Sequence, residues 1–174
     1  YETIPDSGGA GLHRGGNGLS VAYRFLCDGD IGIHDERWLT YPWGVLGGET
    51  GLRSTKRLVR VDGSEQWLPA KAEGIKVKTG DMLYFNTWGG GGWGDPFARD
   101  PELVQQDVNR RLVTVDGARR YGVVMASDGS VDQDATQTLR AELKAAAGEP
   151  ALFNFGGDVE EIRARCEAET HLPA

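Results

Sequence analysis

Leu19, Val21, Tyr23 and Phe25 alternate with Ser20, Ala22 and Arg24, and this period of two predicts a half-buried strand over residues 19–27. Shorter runs of similar texture predict strands at 37–41, 57–62, 66–68, 75–78 and 82–87, separated by Gly, Pro and Asp-Gly punctuation such as Asp62-Gly63. The period changes after Pro96. Asp100-Pro101 offers an N-cap followed by a proline at the first helical position, and Val104, Val108 and Leu112 then recur at i, i+4 and i+8. This predicts a helix of about three turns. A further turn of helix is expected at 118–120, with β-like stretches beside it at 112–115 and 121–125. Leu139 and Leu143 share one face of a helix expected from Asp134 to a Gly148 cap. Asp158 and Glu161 have the spacing of a capping box before a last helix, in which Ile162 stacks on Cys166. The order is that of an α+β protein: a mainly β, glycine-rich portion over residues 1–98, with a helical portion over 99–174 packed on it as one domain.

Composition sharpens the first portion. There are 26 glycines in 174 residues, about twice the usual share of roughly 7%, with no collagen-like period. They gather at Gly8–Gly18, at Gly44–Gly51 and at Gly89–Gly92, the last a run of four between Trp88 and Trp93. Glycine gives up more conformational freedom on folding than any other residue, so such a run marks backbone with positive φ or in close approach to another group. The net charge of −7, without long blocks of one sign, argues against nucleic acid or an anionic membrane as partner. No apolar run approaches the roughly 20 residues that span a bilayer. Cys27 and Cys166 stand far apart in no metal or redox spacing, which points to a reducing, cytoplasmic setting. A start at Tyr1-Glu2-Thr3 without methionine is expected of a processed product, a cloned fragment or one piece of a split polypeptide.

Gly89-x-Gly91-x-x-Gly94 matches the dinucleotide-binding pattern, but Asp95-Pro96 intervenes before a helix can begin, and no βαβ texture lies upstream. The other reading of these glycines is a tight loop packed under neighbouring backbone. No phosphate-binding Gly-x4-Gly-Lys-Ser/Thr is present. His13, His34 and His171 are unpaired in sequence, and His34-Asp35-Glu36, the one dense donor group, reads as a solvated loop of charges in which at most His34 and Glu36 could share a metal. Cys27 reads as a small buried residue closing a strand. Arg14, beside His13 on a glycine-framed loop, offers a planar fork to a carboxylate or phosphate, or makes a surface ion pair. Of five tryptophans, Trp38 and Trp67 are assigned to the core, while Trp88 and Trp93 flank the glycine run and are placed for recognition.

Asp6-Ser7-Gly8-Gly9-Ala10-Gly11 with Arg14-Gly15-Gly16, then Pro42-Trp43-Gly44 with Gly47-Gly48 and Gly51, Gly80-Asp81, and Gly89-Gly90-Gly91-Gly92-Trp93-Gly94-Asp95-Pro96 together resemble the C-terminal part of the hydantoinase B family. Arg119-Arg120-Tyr121-Gly122-Val123-Val124 and Asp132 with Ala135-Thr136 extend the resemblance to about residue 140. Trp93 stands where the family often has Tyr. The resemblance implies a non-autonomous part of an ATP-dependent enzyme of the hydantoinase, 5-oxoprolinase or ketone carboxylase type, hydrolysing or carboxylating a substrate activated by phosphorylation. It implies two partners, the upstream part of a hydantoinase B-type subunit and a hydantoinase A-type ATP-binding subunit. ATP and a divalent metal would be bound by those chains, with no cofactor in this one. No catalytic ligand carries over. His13, Arg14, Arg37, Trp88, Gly89, Gly90, Gly91, Gly92, Trp93 and Asp95 are the residues expected to contact substrate or partner. An assembly module without substrate contact, and a dinucleotide-binding domain, are the competing readings.

Overall fold

The computed structural model describes residues 1–174. In chain order it contains β1 (Glu2–Thr3), β2 (Leu19–Arg24), β3 (Gly29–His34), β4 (Gly44–Val45), β5 (Thr55–Val59), β6 (Glu65–Trp67), β7 (Lys71–Val77) and β8 (Met82–Asn86), then α1 (Pro101–Asn109), α2 (Gln133–Ala146), β9 (Phe153–Asn154) and α3 (Val159–Thr170). Short 3-10 turns lie at Pro96–Ala98 and Gly117–Tyr121. The architecture is α+β. Five strands form an antiparallel sheet in the order β1-β2-β8-β5-β6, β3 pairs with β7 as a separate ribbon, and β4 pairs with β9.

Two apolar clusters hold these elements. Leu58, Leu68, Val77 and Leu83 are buried together, with Ile31, Ile33 and Ile75 of the β3–β7 ribbon packed against them. Ala10, Val104, Val113, Ala118, Tyr121 and Val123 form the second cluster, which joins the first glycine-rich segment to α1 and the 3-10 turn after it. Beside the first cluster, the Asp35 carboxylate accepts hydrogen bonds from the Lys56 ammonium and the Ser54 hydroxyl, all out of solvent. Burial holds the Lys56 pKa below its ordinary value against the opposing pull of Asp35. Helix α3 returns to the first portion: Arg53 donates to the Trp38 carbonyl at 3.0 Å and pairs with Glu169, and Cys166 is fully buried.

The strong local signals are realised. Asp100 caps α1 with Pro101 at its first turn, and Asp158 and Glu161 make a complete capping box for α3. Other expectations are corrected. Residues 37–41 are not a strand: Arg37 takes φ 57°, and the buried Trp38 and Tyr41 pack without a ladder partner. Residues 121–125 are not a strand either, because Tyr121 ends a 3-10 turn at a left-handed Gly122 and only Met125 bridges, to Val131. Helix α2 stops in extended backbone at Ala147 rather than at a Gly148 cap. In β2 only Val21 is buried, since the apolar cluster centres on β5 and β8. That strand ends at Arg24, so Cys27 lies outside the ladder and is exposed. Asp35 belongs to a buried ion pair, not to a solvated loop. Trp67 is half-buried on an edge strand, with Arg57 over its ring and His171 against it. Strands β3, β4 and β9 were not signalled.

Candidate functional site

The four consecutive glycines form the centre of a layer built from backbone. Gly89 N–H donates to the Leu52 carbonyl (3.1 Å), Gly90 to Gly16 (2.7 Å) and Gly92 to Glu49 (2.9 Å), while Gly90 and Gly92 carbonyls accept from Gly9 (2.8 Å) and Val45 (3.0 Å). Segments 7–10, 15–16 and 44–52 therefore contact the run from different directions. None of the four has left-handed φ; proximity is what demands glycine. A Cβ would stand 1.9 Å from the Ser7 oxygen at Gly89, 1.8 Å from the Trp43 oxygen at Gly91 and 2.0 Å from the Ala10 oxygen at Gly92. With three of the four amides given to internal carbonyls, the run has no cradle for a pyrophosphate. This is the packing of a tight loop under neighbouring backbone.

This layer aligns side chains from four distant segments. His13 bridges Trp93 antiparallel, Trp93 bridges Val45 in parallel, and Val45 pairs with Phe153 across β4 and β9. Bridged partners project to the same side of a sheet, so His13, Trp93, Val45 and Phe153 form a transverse row. Just beyond the ends of β4 and β9, Trp43 and Phe155 lie beside this row, with ring centroids 6.2 Å apart. Phe153 lies 6.1 Å from Phe155, His13 lies 5.3 Å from Trp93, and the Arg37 guanidinium stands 4.4 Å above Trp43. The rings are far from covered: Trp43 is 41% exposed, Trp93 45%, Phe153 48% and Phe155 55%. These rings lie at the surface rather than in a core.

Beside it lies a cavity of about 630 Å³ between Gly47–Glu49, Asp95–Phe97, the end of α2 at Lys144 and the strand carrying Phe153 and Phe155. Arg120 holds Glu49 at 2.7 Å, and Asp95 caps the following 3-10 turn through the Phe97 amide.

The residues expected to make contacts thus separate. His13, Arg37 and Trp93 come together on the aromatic face, and Asp95 borders the cavity. Gly89–Gly92 lie beneath as packing, and Trp88 is exposed at the entrance to the glycine run. Arg14 is turned inward. It donates to Asn17 and to the Gly15 carbonyl, each at 2.7 Å, and lies 3.3 Å from Asp107, which Arg99 also holds at 2.9 Å; the expected surface ion pair is a largely buried one. Phe153 and Phe155 were missed, because a two-residue strand is too short to establish a period. The sequence marks Trp43 through its Pro42-Trp43-Gly44 motif and as one of five tryptophans. No group of three or more His, Cys, Asp or Glu side chains is placed together as metal ligands. No helix is long and apolar enough to cross a membrane.

The beta subunit of a caprolactamase of Pseudomonas jessenii is 36% identical over 148 residues, 81% of this chain and 25% of its own length. The crystal structure of ATP-dependent caprolactamase from that organism superposes with a TM-score of 0.67 at 32% identity, over 81% of this chain and 25% of that one. The putative B subunit of a D-/L-hydantoinase of a Pseudomonas species is 28% identical over 142 residues, 80% of this chain and 24% of its own. Acetone carboxylase shares the fold, with a TM-score of 0.61 at 20% identity over 83% of this chain and 24% of that one. The chain spans about a quarter of the length of these relatives. The family profile of hydantoinase B/oxoprolinase matches residues 1–96, and the chain belongs to that family.

Proposed function

We propose that this chain completes a hydantoinase B-type subunit in a multi-chain, ATP-dependent cyclic-amide hydrolase, and that its aromatic face lines the compartment of the activated substrate. The observation carrying this reading is the row His13, Trp93, Val45 and Phe153, extended by Trp43 and Phe155 and presented half-exposed on a layer that cannot yield. ATP supplies activation by phosphorylation of the amide oxygen, which makes a poor electrophile competent. It is held, with a divalent metal, by the hydantoinase A-type subunit and the remainder of the B-type subunit. This chain's share is to pack the apolar part of a lactam or hydantoin against its rings and keep bulk water from the activated species. Relatives named as caprolactamase and hydantoinase favour hydrolysis over carboxylation.

The second reading, an assembly module without substrate contact, is favoured by the inward turn of Arg14 and the internal use of the glycine amides. Trp93→Ala and His13→Ala in the reconstituted complex separate the two, with ATP-dependent opening of caprolactam and hydantoin and bicarbonate-dependent consumption of acetone as assays. Lost turnover with intact assembly supports substrate contact. Unchanged lactam and hydantoin turnover supports the assembly module, and acetone consumption in place of ring opening overturns the hydrolase assignment.

A further inference from the structure

The register of β9 leaves one side of that strand without a neighbour. Val45 gives its N–H to Gly92 and its carbonyl to Gly94, away from β9, while Leu46 N–H donates to Leu152 at 2.9 Å. In an antiparallel ladder this parity makes Val45 and Phe153 a pair that exchanges no hydrogen bonds, so the Phe153 N–H and carbonyl point outward. Neither has a partner in the chain. Phe155, just past the end of β9, lies beside Trp43 with ring centroids 6.2 Å apart, and its N–H and carbonyl also have no partner in the chain. An exposed edge next to half-exposed rings is what sheet proteins ordinarily cover, and it is the template used in recognition by strand addition. Arg37 above Trp43 and Lys144 on the cavity side have no carboxylate within ion-pair distance, although the chain as a whole carries −7. Of the two carboxylates lining the cavity, Glu49 is held by Arg120 and Asp95 accepts from the Phe97 amide.

We infer that the outer edge of β9 is completed by an extended segment of a hydantoinase B-type polypeptide outside this chain, apolar at alternate positions and carrying carboxylates toward Arg37 and Lys144. The matched relatives carry about three-quarters of their length outside the stretch they share with this chain, which is where such a segment resides. The inference rests on the proposed function in naming that polypeptide, and adds the surface and the mode of docking. A second copy of this chain is disfavoured by its shared negative charge.

The test is recovery of the tagged full chain from its source cell, identification of bound polypeptides by mass spectrometry, and amide exchange of the complex against the isolated chain. The expected result is a hydantoinase B-type polypeptide whose binding slows exchange at Phe153 and Phe155 at least about tenfold. Phe153→Pro removes the outward N–H together with the ring, so Phe153→Ala, which loses the ring and keeps the N–H, is its control, and Arg37→Glu reverses a flanking charge; Phe153→Pro relative to Phe153→Ala, and Arg37→Glu relative to the parent, are each expected to lower recovery about tenfold, as loss of one hydrogen bond or ion pair at a covered site would. Leu26→Ala, 83% exposed outside the patch, should have no effect. If Phe153→Pro does not fold, the exchange data and Arg37→Glu decide. Recovery of the same polypeptide with Phe153 and Phe155 exchanging as in the isolated chain overturns the strand addition and leaves the proposed function standing. A dimer of this chain through that edge, recovery of no hydantoinase-type polypeptide, or recovery of nothing overturns both.

Discussion

Adding one methyl group to the glycine run should be among the most damaging single changes this chain can suffer. In Gly91→Ala the new Cβ would stand 1.8 Å from the Trp43 oxygen and 2.6 Å from its carbon, where real contacts stay beyond 3.0 Å. Both partners are backbone, so one segment has to retreat by more than an ångström. The adjoining bonds, Gly92 N–H to Glu49 at 2.9 Å and Val45 N–H to Gly92 at 3.0 Å, cannot survive that displacement together. Leaving two buried backbone groups unpaired costs about 1–3 kcal/mol each, so the loss is about 2–6 kcal/mol against a total stability of about 5–15 kcal/mol. Gly16→Ala is the control: a Cβ there meets nothing within 4 Å and the backbone is not left-handed. By restricting only the unfolded chain it should add about 0.4–1 kcal/mol. Urea unfolding followed by tryptophan fluorescence measures both. If the two variants lose similar stability, or Gly91→Ala stays within about 1 kcal/mol of the parent, close backbone contact is not what the glycines serve.

Tyr121 is buried with its hydroxyl unpartnered, and burial pushes its pKa up to about 12 from 10.0. Its neutral form is therefore favoured in the fold; the contribution is complete below pH 10 and is lost as pH rises through about 12, because the unfolded chain releases the proton first. The melting temperature should fall across that window, and Tyr121→Phe should remove this part of the fall while leaving stability at pH 7 unchanged or higher. Asp35→Ala strands the buried Lys56 ammonium and should cost about 3–5 kcal/mol by denaturant titration, whereas Asp35→Leu with Lys56→Met should restore most of it. Asp100→Ala removes the acceptor of the Glu102 amide and should cost about 1 kcal/mol, seen as earlier exchange of the first turn of α1.

Interactions between near neighbours were legible in the chain. The caps of α1 and α3, the strands at 57–62, 66–68 and 82–87 to within a few residues, and the break of texture at Pro96 follow from turn chemistry and periodicity alone. The glycine count also announced a layer of close backbone contact, though not which carbonyls it would meet. Tertiary structure decided the rest. Residues 37–41 have strand-like composition but find no ladder, and the two-residue strands β4 and β9, too short to signal themselves, pair across more than a hundred positions. The aromatic face exists only because His13, Trp93, Val45 and Phe153 are bridged side to side, and Asp35 is an ion-pair partner rather than a solvated charge only because Lys56 is folded against it. Periodicity reports which side of an element is apolar. Which distant segments share a face is set by hydrogen-bond register between backbones, a property of pairs of segments that no single stretch of sequence contains.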